Sequence, residues 1–216
     1  MDEIRSLNDL KILNKSVDFL TSDLLIDKIN DCLQKISFTI QDFNNVLKTE
    51  NFEYKEIVFL LLSAVWVQES IERIEECYQT DKIHGFNLWD EEMLNAKKYI
   101  NAIRSFVIAH PLSTDRHAYF GFDGDLICVD VRTKSIVIPI IRDNELTYID
   151  INGKHQGRSD KTDYYLYAYS KSQDNMKYFK YIGCSTKDLV YVMKLYLDKI
   201  YQFDDFIFNQ TQHKEA

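Results

Sequence analysis

Residues that interrupt helices are scarce in this chain of 216 residues. It contains two prolines and six glycines, and all of them lie at position 85 or later. Because proline and glycine end or weaken helices, their absence from the first 84 residues predicts a helical N-terminal region.

Several motifs that carry known chemistry are also missing. The four cysteines form no C-x-x-C pair, so they read as buried thiols and not as a zinc knuckle or redox pair. The sequence has no G-x-G-x-x-G, P-loop, G-x-S-x-G or H-E-x-x-H motif, which excludes the common signatures of nucleotide-binding proteins, hydrolases and metalloproteases. We therefore expect no cofactor and no bound metal.

No apolar run is long enough for a membrane helix. The longest, residues 57–67, has 11 residues interrupted by Ser63, whereas a bilayer requires about 20. The first residues, Met1 to Arg5, are acidic and contain no apolar signal-peptide core. We expect a cytoplasmic protein with no membrane partner.

The net charge of −8 is distributed unevenly. Residues 1–100 carry 11 basic and 19 acidic residues, whereas residues 153–187 carry seven basic and three acidic ones. An acidic chain is a poor general binder of phosphate backbones, so we expect no DNA partner. The charge as a whole serves solubility, and the local basic strip could serve one groove.

Helical periodicity predicts four N-terminal helices. They comprise residues around Leu7 to Val17, a second helix capped by Ser22-Asp23, a third over 54–78, and a fourth from the N-cap Asp90 to about residue 109. After Pro111 the apolar period becomes two, and strands are predicted at 126–129, 136–140, 146–151, 164–169 and 177–182. A last helix is predicted over 187–208.

These elements predict an α+β protein. A four-helix, bundle-like region would occupy residues 1–112, and residues 113–216 would form an antiparallel sheet of about five strands with a C-terminal helix.

Arg104 and His110 lie six residues apart at the end of the fourth predicted helix. Six residues rotate an α-helix by about 600°, which leaves the two side chains about 120° apart and about 9 Å offset along the axis. The pair could converge only if one side chain turns at the frayed helix end, or if two protomers pair these helices across a twofold axis, so we expect an Arg/His active site here to belong to a homodimer. Such a pair suits RNA cleavage, because histidine moves a proton, arginine stabilises charge on phosphorus oxygens, and the RNA supplies its 2′-hydroxyl.

A helical region that ends in Arg-x(4–6)-His resembles the HEPN superfamily. Here Arg104 and His110 enclose five residues, and Ala109-His110-Pro111 is similar to the sequence of many bacterial members. The resemblance covers at most residues 1–115. It implies a metal-independent endoribonuclease acting on RNA as a homodimer, in bacterial defence or toxin-type regulation, with His110 as acid/base and Arg104 as phosphate clamp.

Simpler roles stay open for the same residues. Arg104 could pair with Glu69 or Glu72, and His110 could cap carbonyls at its own helix end, which would make both structural in a non-catalytic interaction or ligand-binding module. Arg116 and His117 follow in the next loop. If the protein is a ribonuclease, Arg116 and His117 would contact phosphate. The weaker alternative is a metal site formed by His110, Asp115 and His117.

Tyrosine is concentrated after residue 117, where 11 of the 14 occur. One predicted strand interleaves basic and aromatic residues: Lys177, Tyr178, Lys180 and Tyr181. This pattern could stack RNA bases and hold their phosphates. The ordinary alternative is that tyrosine is simply favoured in strands. The RNA-binding interpretation needs the basic strip, Lys154, Arg158, Lys161 and Lys171, to lie on the same face.

Overall fold

The structure is a computed structural model that describes residues 3–11, 13, 23–49, 52–80, 85–107, 126–133, 146–171 and 177–212. Its helices are α1 (Asp23–Leu47), α2 (Tyr54–Thr80), α3 (Glu91–Val107) and α4 (Thr186–Gln212). Five strands accompany them in the described part of the chain: β1 (Leu126–Thr133), β2 (Leu146–Asp150), β3 (Gly153–Gln156), β4 (Tyr164–Lys171) and β5 (Lys177–Cys184). The α+β class is confirmed.

Three of the four predicted N-terminal helices are present. Met93 N donates to Asp90 Oδ1 at 3.0 Å, so the predicted N-cap of α3 is confirmed. The prediction of a helix near Leu7 was wrong for the described residues 3–11 and 13, which are not helical. Leu7, Leu10 and Leu13 are nevertheless buried, because a non-helical segment also buries residues spaced by three when it is held by other contacts.

The sheet has the strand order β1-β4-β5-β2-β3 and is mixed. β1 pairs with β4, β4 with β5 and β2 with β3 in the antiparallel sense, but β2 and β5 run parallel. The prediction of a wholly antiparallel sheet was therefore wrong. β3 falls in a stretch predicted as a loop, and the predicted strand at 136–140 lies outside the described residues.

The chain divides into two compact units, each discontinuous in sequence. Unit 1 comprises residues 1–48, 63–93 and 191–216, and unit 2 comprises residues 49–62 and 94–190. The predicted domain boundary at residue 112 lies outside the described residues and stays a prediction.

In unit 1 the N-terminal segment is fixed by a buried carboxylate. Asp204 of α4, which is 1% exposed, accepts hydrogen bonds from Lys11 N at 2.6 Å and Leu13 N at 2.8 Å. Asn44 of α1 holds Ile4 by two backbone hydrogen bonds, of 2.8 and 2.9 Å. These contacts satisfy backbone groups that a helix would otherwise satisfy, which explains why the described residues 3–11 and 13 are not helical.

In unit 2 one side of the sheet is the core side. Its fully buried residues come from three strands and from α3: Ile149, Tyr164, Leu166, Ile182, Cys184, Tyr99, Ile100 and Ile103. Burial raises the pKa of Tyr99 and of Tyr164 well above the ordinary value, because neither ring can ionise inside an apolar core.

In the described part of the chain, none of the helices is both long and apolar enough to cross a bilayer.

Candidate functional site

Arg104 lies in the last turn of α3, the helix that precedes the predicted histidine. Its side chain is partly exposed, while Ile103, Ser105 and Phe106 beside it are buried. The Ser105 hydroxyl donates a hydrogen bond of 2.7 Å to Ala102 O within the same helix. A cation in the last turn of a helix is stabilised by the helix dipole. Arg104 is therefore a partly exposed cation in an otherwise buried stretch of α3.

Three other residues were predicted to act with Arg104. His110, Arg116 and His117 lie outside the described residues, as does Asp115 of the weaker metal alternative. Among the residues that are described, no group of three or more His, Cys, Asp or Glu side chains is arranged to hold a metal.

The second side of the sheet in unit 2 is rich in tyrosine. Cα register pairs Tyr167 with Tyr181 and Tyr165 with Gly183, while β2 places Leu146 beside Tyr181 and Tyr148 beside Gly183. Paired residues share a side of a sheet. We call Leu146, Tyr148, Tyr165, Tyr167 and Tyr181 the tyrosine face.

Tyr167 and Tyr181 form the half-exposed part of the tyrosine face. Their ring centroids lie 4.8 Å apart with 40° between the planes, and both side chains are partly exposed. Tyr181 packs on Leu146 and Tyr165, which are 3% and 5% exposed. Buried neighbours therefore fix the position of a partly open aromatic pair.

The loop before β4 covers the middle of the tyrosine face. A Cβ atom added at Gly183 would lie 2.7 Å from Thr162 Oγ1, so Thr162 sits directly over this glycine. The same loop carries Arg158, which is exposed and close enough to Tyr165 to lower its pKa, although burial outweighs this effect and raises that pKa overall. The loop thus brings a cation to the edge of the aromatic surface.

The predicted binding residues of β5 do not share one side of the strand. The ladder pairs Lys177 with Lys171 and Tyr181 with Tyr167, whereas positions 178 and 180 fall on the alternate rungs. Position 177 therefore lies on the same side of the sheet as the tyrosine face, to which Tyr181 belongs. Positions 178 and 180 lie on the opposite side. Tyr167 was not among the predicted binding residues, although the hairpin alignment of β4 with β5 would have indicated it.

Acidic groups surround the first turn of α4. Tyr148 Oη donates to Asp188 Oδ2 at 2.6 Å, and the backbone N of Thr186 donates to both carboxylate oxygens of Asp163, at 3.0 and 3.1 Å. Burial raises the pKa of Asp188 and of Asp163, although these hydrogen bonds act in the opposite direction. Because a carboxylate at a helix N-terminus is favourable, these contacts anchor the first turn of α4, which belongs to unit 2, to the sheet.

A further pair closes the β2–β3 hairpin. Asp150 Oδ1 accepts from Asn152 N at 2.8 Å and Gly153 N at 3.1 Å, and it lies 3.1 Å from His155 Nε2. Gly153 has a φ of +136°, which L side chains rarely adopt. The turn explains why Asp150 and His155 lie close together. In the sequence, only the turn signal Asn152-Gly153 indicated this hairpin.

Unit 1 contains a groove between α1 and α2. It encloses a cavity of about 450 Å³ whose lining is charged or polar: Asp31, Cys32, Lys35, Glu69, Ser70, Glu72, Arg73 and Glu76. Burial, followed by the influence of Cys77, raises the pKa of the Cys32 thiol. Because only a thiolate is a good nucleophile, this cysteine is poorly reactive at neutral pH. Cys77 and Cys184 are buried free thiols, as predicted, whereas Cys32 is a free thiol that is partly exposed.

Comparison of the chain with models of protein families, with curated proteins and with solved structures found no match.

Proposed function

We propose that this protein is a metal-independent endoribonuclease that acts as a homodimer in the cytoplasm, in a defence or toxin-type role. His110 transfers the proton and Arg104 holds the scissile phosphate. The proposal rests on the resemblance of Arg104 and His110 to the HEPN pattern and on one structural observation, the position of Arg104.

The position of Arg104 supports a role toward a ligand. Within the buried run of α3 from Tyr99 to Val107, only Asn101 and Arg104 are partly exposed. An arginine side chain that is partly open to solvent can bind two oxygens of a phosphate. Val107 is the last described residue of α3, three positions before His110.

The geometry of one helix supports the dimer of this proposal. Arg104 and His110 would be about 120° apart if the helix continued to residue 110, so one protomer would not aim both at one phosphate. A twofold axis brings the arginine of one protomer to the histidine of its partner. Each dimer then has two composite sites.

The test is cleavage of mixed RNA by the purified protein in the presence of EDTA. Arg104→Ala and His110→Ala are each expected to lower the cleavage rate by about a hundredfold or more, because both groups act on the reacting phosphate. Arg73→Ala and His155→Ala are matched controls, since both side chains are exposed, at 72% and 51%. We expect both controls to cleave like wild type.

Intact RNA with folded wild type would contradict the proposal. If Arg104→Ala and His110→Ala instead unfold at lower temperature without any RNA cleavage by wild type, the two residues are structural and the protein is the non-catalytic interaction module. Equal activity of His110→Ala and wild type would also contradict the assigned acid/base.

A further inference from the structure

Helix α3 opens to solvent along one row of residues that leads to Arg104. Over residues 96–107 all side chains are buried except those of the cationic row: Lys97, Lys98, Asn101 and Arg104. We infer that Lys97, Lys98 and Asn101 bind phosphates of the RNA next to the phosphate that Arg104 holds, so the substrate is an RNA strand of several nucleotides and not a small phosphodiester. This inference rests on the proposed function, because it names the substrate class of the same site.

The cationic row follows one side of the helix. Its members at positions 97, 101 and 104 lie within about 60° of one another around the axis, and Lys98 lies about 60° farther round. The helical rise places Lys97 and Arg104 about 10 Å apart along the axis. Tyr99, which is fully buried, lies about 160° from Asn101 and marks the core side of α3. The row therefore runs along the outer side of the helix and ends at Arg104.

Every member of the cationic row can donate hydrogen bonds to phosphate oxygens. The two lysines and the arginine are cations, and the Asn101 amide adds a neutral donor. The acidic residues of α3, Glu91 and Glu92, lie in its first turn, at least five positions before Lys97. Lys, Arg and Asn side chains are among those that contact phosphates in nucleic-acid complexes. A row of such donors with no carboxylate among them matches a row of phosphates.

The composition of the row favours a nucleic-acid backbone over a protein partner. Protein interfaces are depleted of lysine and enriched in aromatic residues, whereas the row contains two lysines and no aromatic or aliphatic residue. Leu94, the exposed apolar residue of α3, precedes the row and is 42% exposed. The whole chain has a net charge of −8, so attraction of a polyanion depends on local cations of this kind. Contacts to the backbone also require RNA that extends beyond the scissile phosphate.

Binding can be measured apart from cleavage in full-length His110→Ala protein. The probes are fluorescein-labelled oligouridine, diuridine and oligoglutamate, and the readout is fluorescence anisotropy over a series of salt concentrations. Adding the pair Lys97→Gln and Lys98→Gln should weaken oligouridine binding about tenfold, because two phosphate contacts are lost. The slope of log affinity against log salt should fall by about 1.4, at about 0.7 for each contact with a single strand.

Three further variants make the test specific. Lys55→Gln is the matched control, because Lys55 is an exposed lysine of unit 2 that pairs with Glu53 and Glu56 on the surface. It should keep the affinity and the salt dependence of the parent. Asn101→Ala should weaken binding without changing the salt slope, because a neutral amide releases no counterion. Lys97→Arg keeps the charge and should lose less affinity than Lys97→Gln.

The outcomes separate this inference from the proposed function. Loss of affinity and of salt dependence in the folded double variant supports the cationic row, even if wild type cleaves no RNA, a result that would contradict only the proposed catalysis. Three results would overturn the inference and leave RNA cleavage at Arg104 and His110 intact. They are a folded double variant that binds oligouridine like the parent, a parent that binds oligouridine no more tightly than diuridine, and a parent that binds oligoglutamate as tightly as oligouridine.

Discussion

The hydroxyl of Tyr148 donates a hydrogen bond of 2.6 Å to Asp188 Oδ2, which joins strand β2 to the first turn of α4. Tyr148 belongs to the tyrosine face, and Asp188 lies in the first turn of the long C-terminal helix. This bond helps to hold the first turn of α4 against the strand that flanks Tyr181 within unit 2, so its loss tests how firmly the tyrosine face is supported.

Removing the Tyr148 hydroxyl should destabilise the protein. Tyr148→Phe keeps the ring but leaves the half-buried carboxylate of Asp188 without this donor, and we expect the free energy of unfolding to fall by about 1–2 kcal/mol. Urea denaturation monitored by circular dichroism measures the change. A variant as stable as wild type would show that solvent replaces the donor.

Asp188→Asn should make stability less dependent on pH. Burial raises the pKa of Asp188 in the folded protein, so its contribution favours folding below the unfolded pKa and is lost as pH rises through the folded pKa. Asparagine keeps an acceptor for Tyr148 and carries no charge. We expect the decline in unfolding free energy from about pH 4 upward to be smaller in this variant; an unchanged slope would refute the assignment.

Asp204→Ala should release the N-terminal segment. The buried carboxylate accepts from Lys11 N and Leu13 N, and its removal leaves two backbone donors without their acceptor. We expect a loss of about 3 kcal/mol, together with faster hydrogen exchange at these two amides.

Asp205→Ala is the control for Asp204→Ala. Asp205 is 55% exposed and pairs with the Lys11 side chain at 2.7 Å. A surface ion pair of this kind contributes less than about 1 kcal/mol. Similar losses in the two variants would contradict the role given to Asp204.

Gly183→Ala should strain the loop over the tyrosine face. The new Cβ would lie 2.7 Å from Thr162 Oγ1 and 3.0 Å from Thr162 Cγ2, so Thr162 must move. We expect a cost of about 1–3 kcal/mol in unfolding free energy. In a Thr162→Ala background the cost of Gly183→Ala should be smaller, and additive effects in this double-mutant cycle would argue against the contact.

The helices were the part of the fold that local sequence could predict. In α1 and α2 apolar residues recur at helical spacing and no glycine or proline interrupts them, and Asp90 occupies the N-cap that its residue type favours. Leu7, Leu10 and Leu13 show the limit of the same rule. Their segment is held by Asp204, more than 190 positions away, and periodicity carries no information about such a contact.

The sheet was predictable strand by strand but not in its pairing. Alternation identified β2, β4 and β5, yet nothing local indicates that β2 runs parallel to β5. Short β3 was missed because Gly153 to Gln156 contains no apolar residue and only its pairing with β2 defines it. The tyrosine face was not predicted for the same reason, since the position of Tyr167 beside Tyr181 depends on strand register.

The most direct test of the account is to mix two inactive variants. Arg104→Ala and His110→Ala protomers, exchanged into mixed dimers, form one composite site that has both the arginine and the histidine. We predict that the mixture regains about a quarter of wild-type RNA cleavage in EDTA, because random pairing makes half of the dimers mixed and each of these has one intact site of two. Mixed dimers of folded variants that cleave no RNA would contradict the shared Arg104–His110 site.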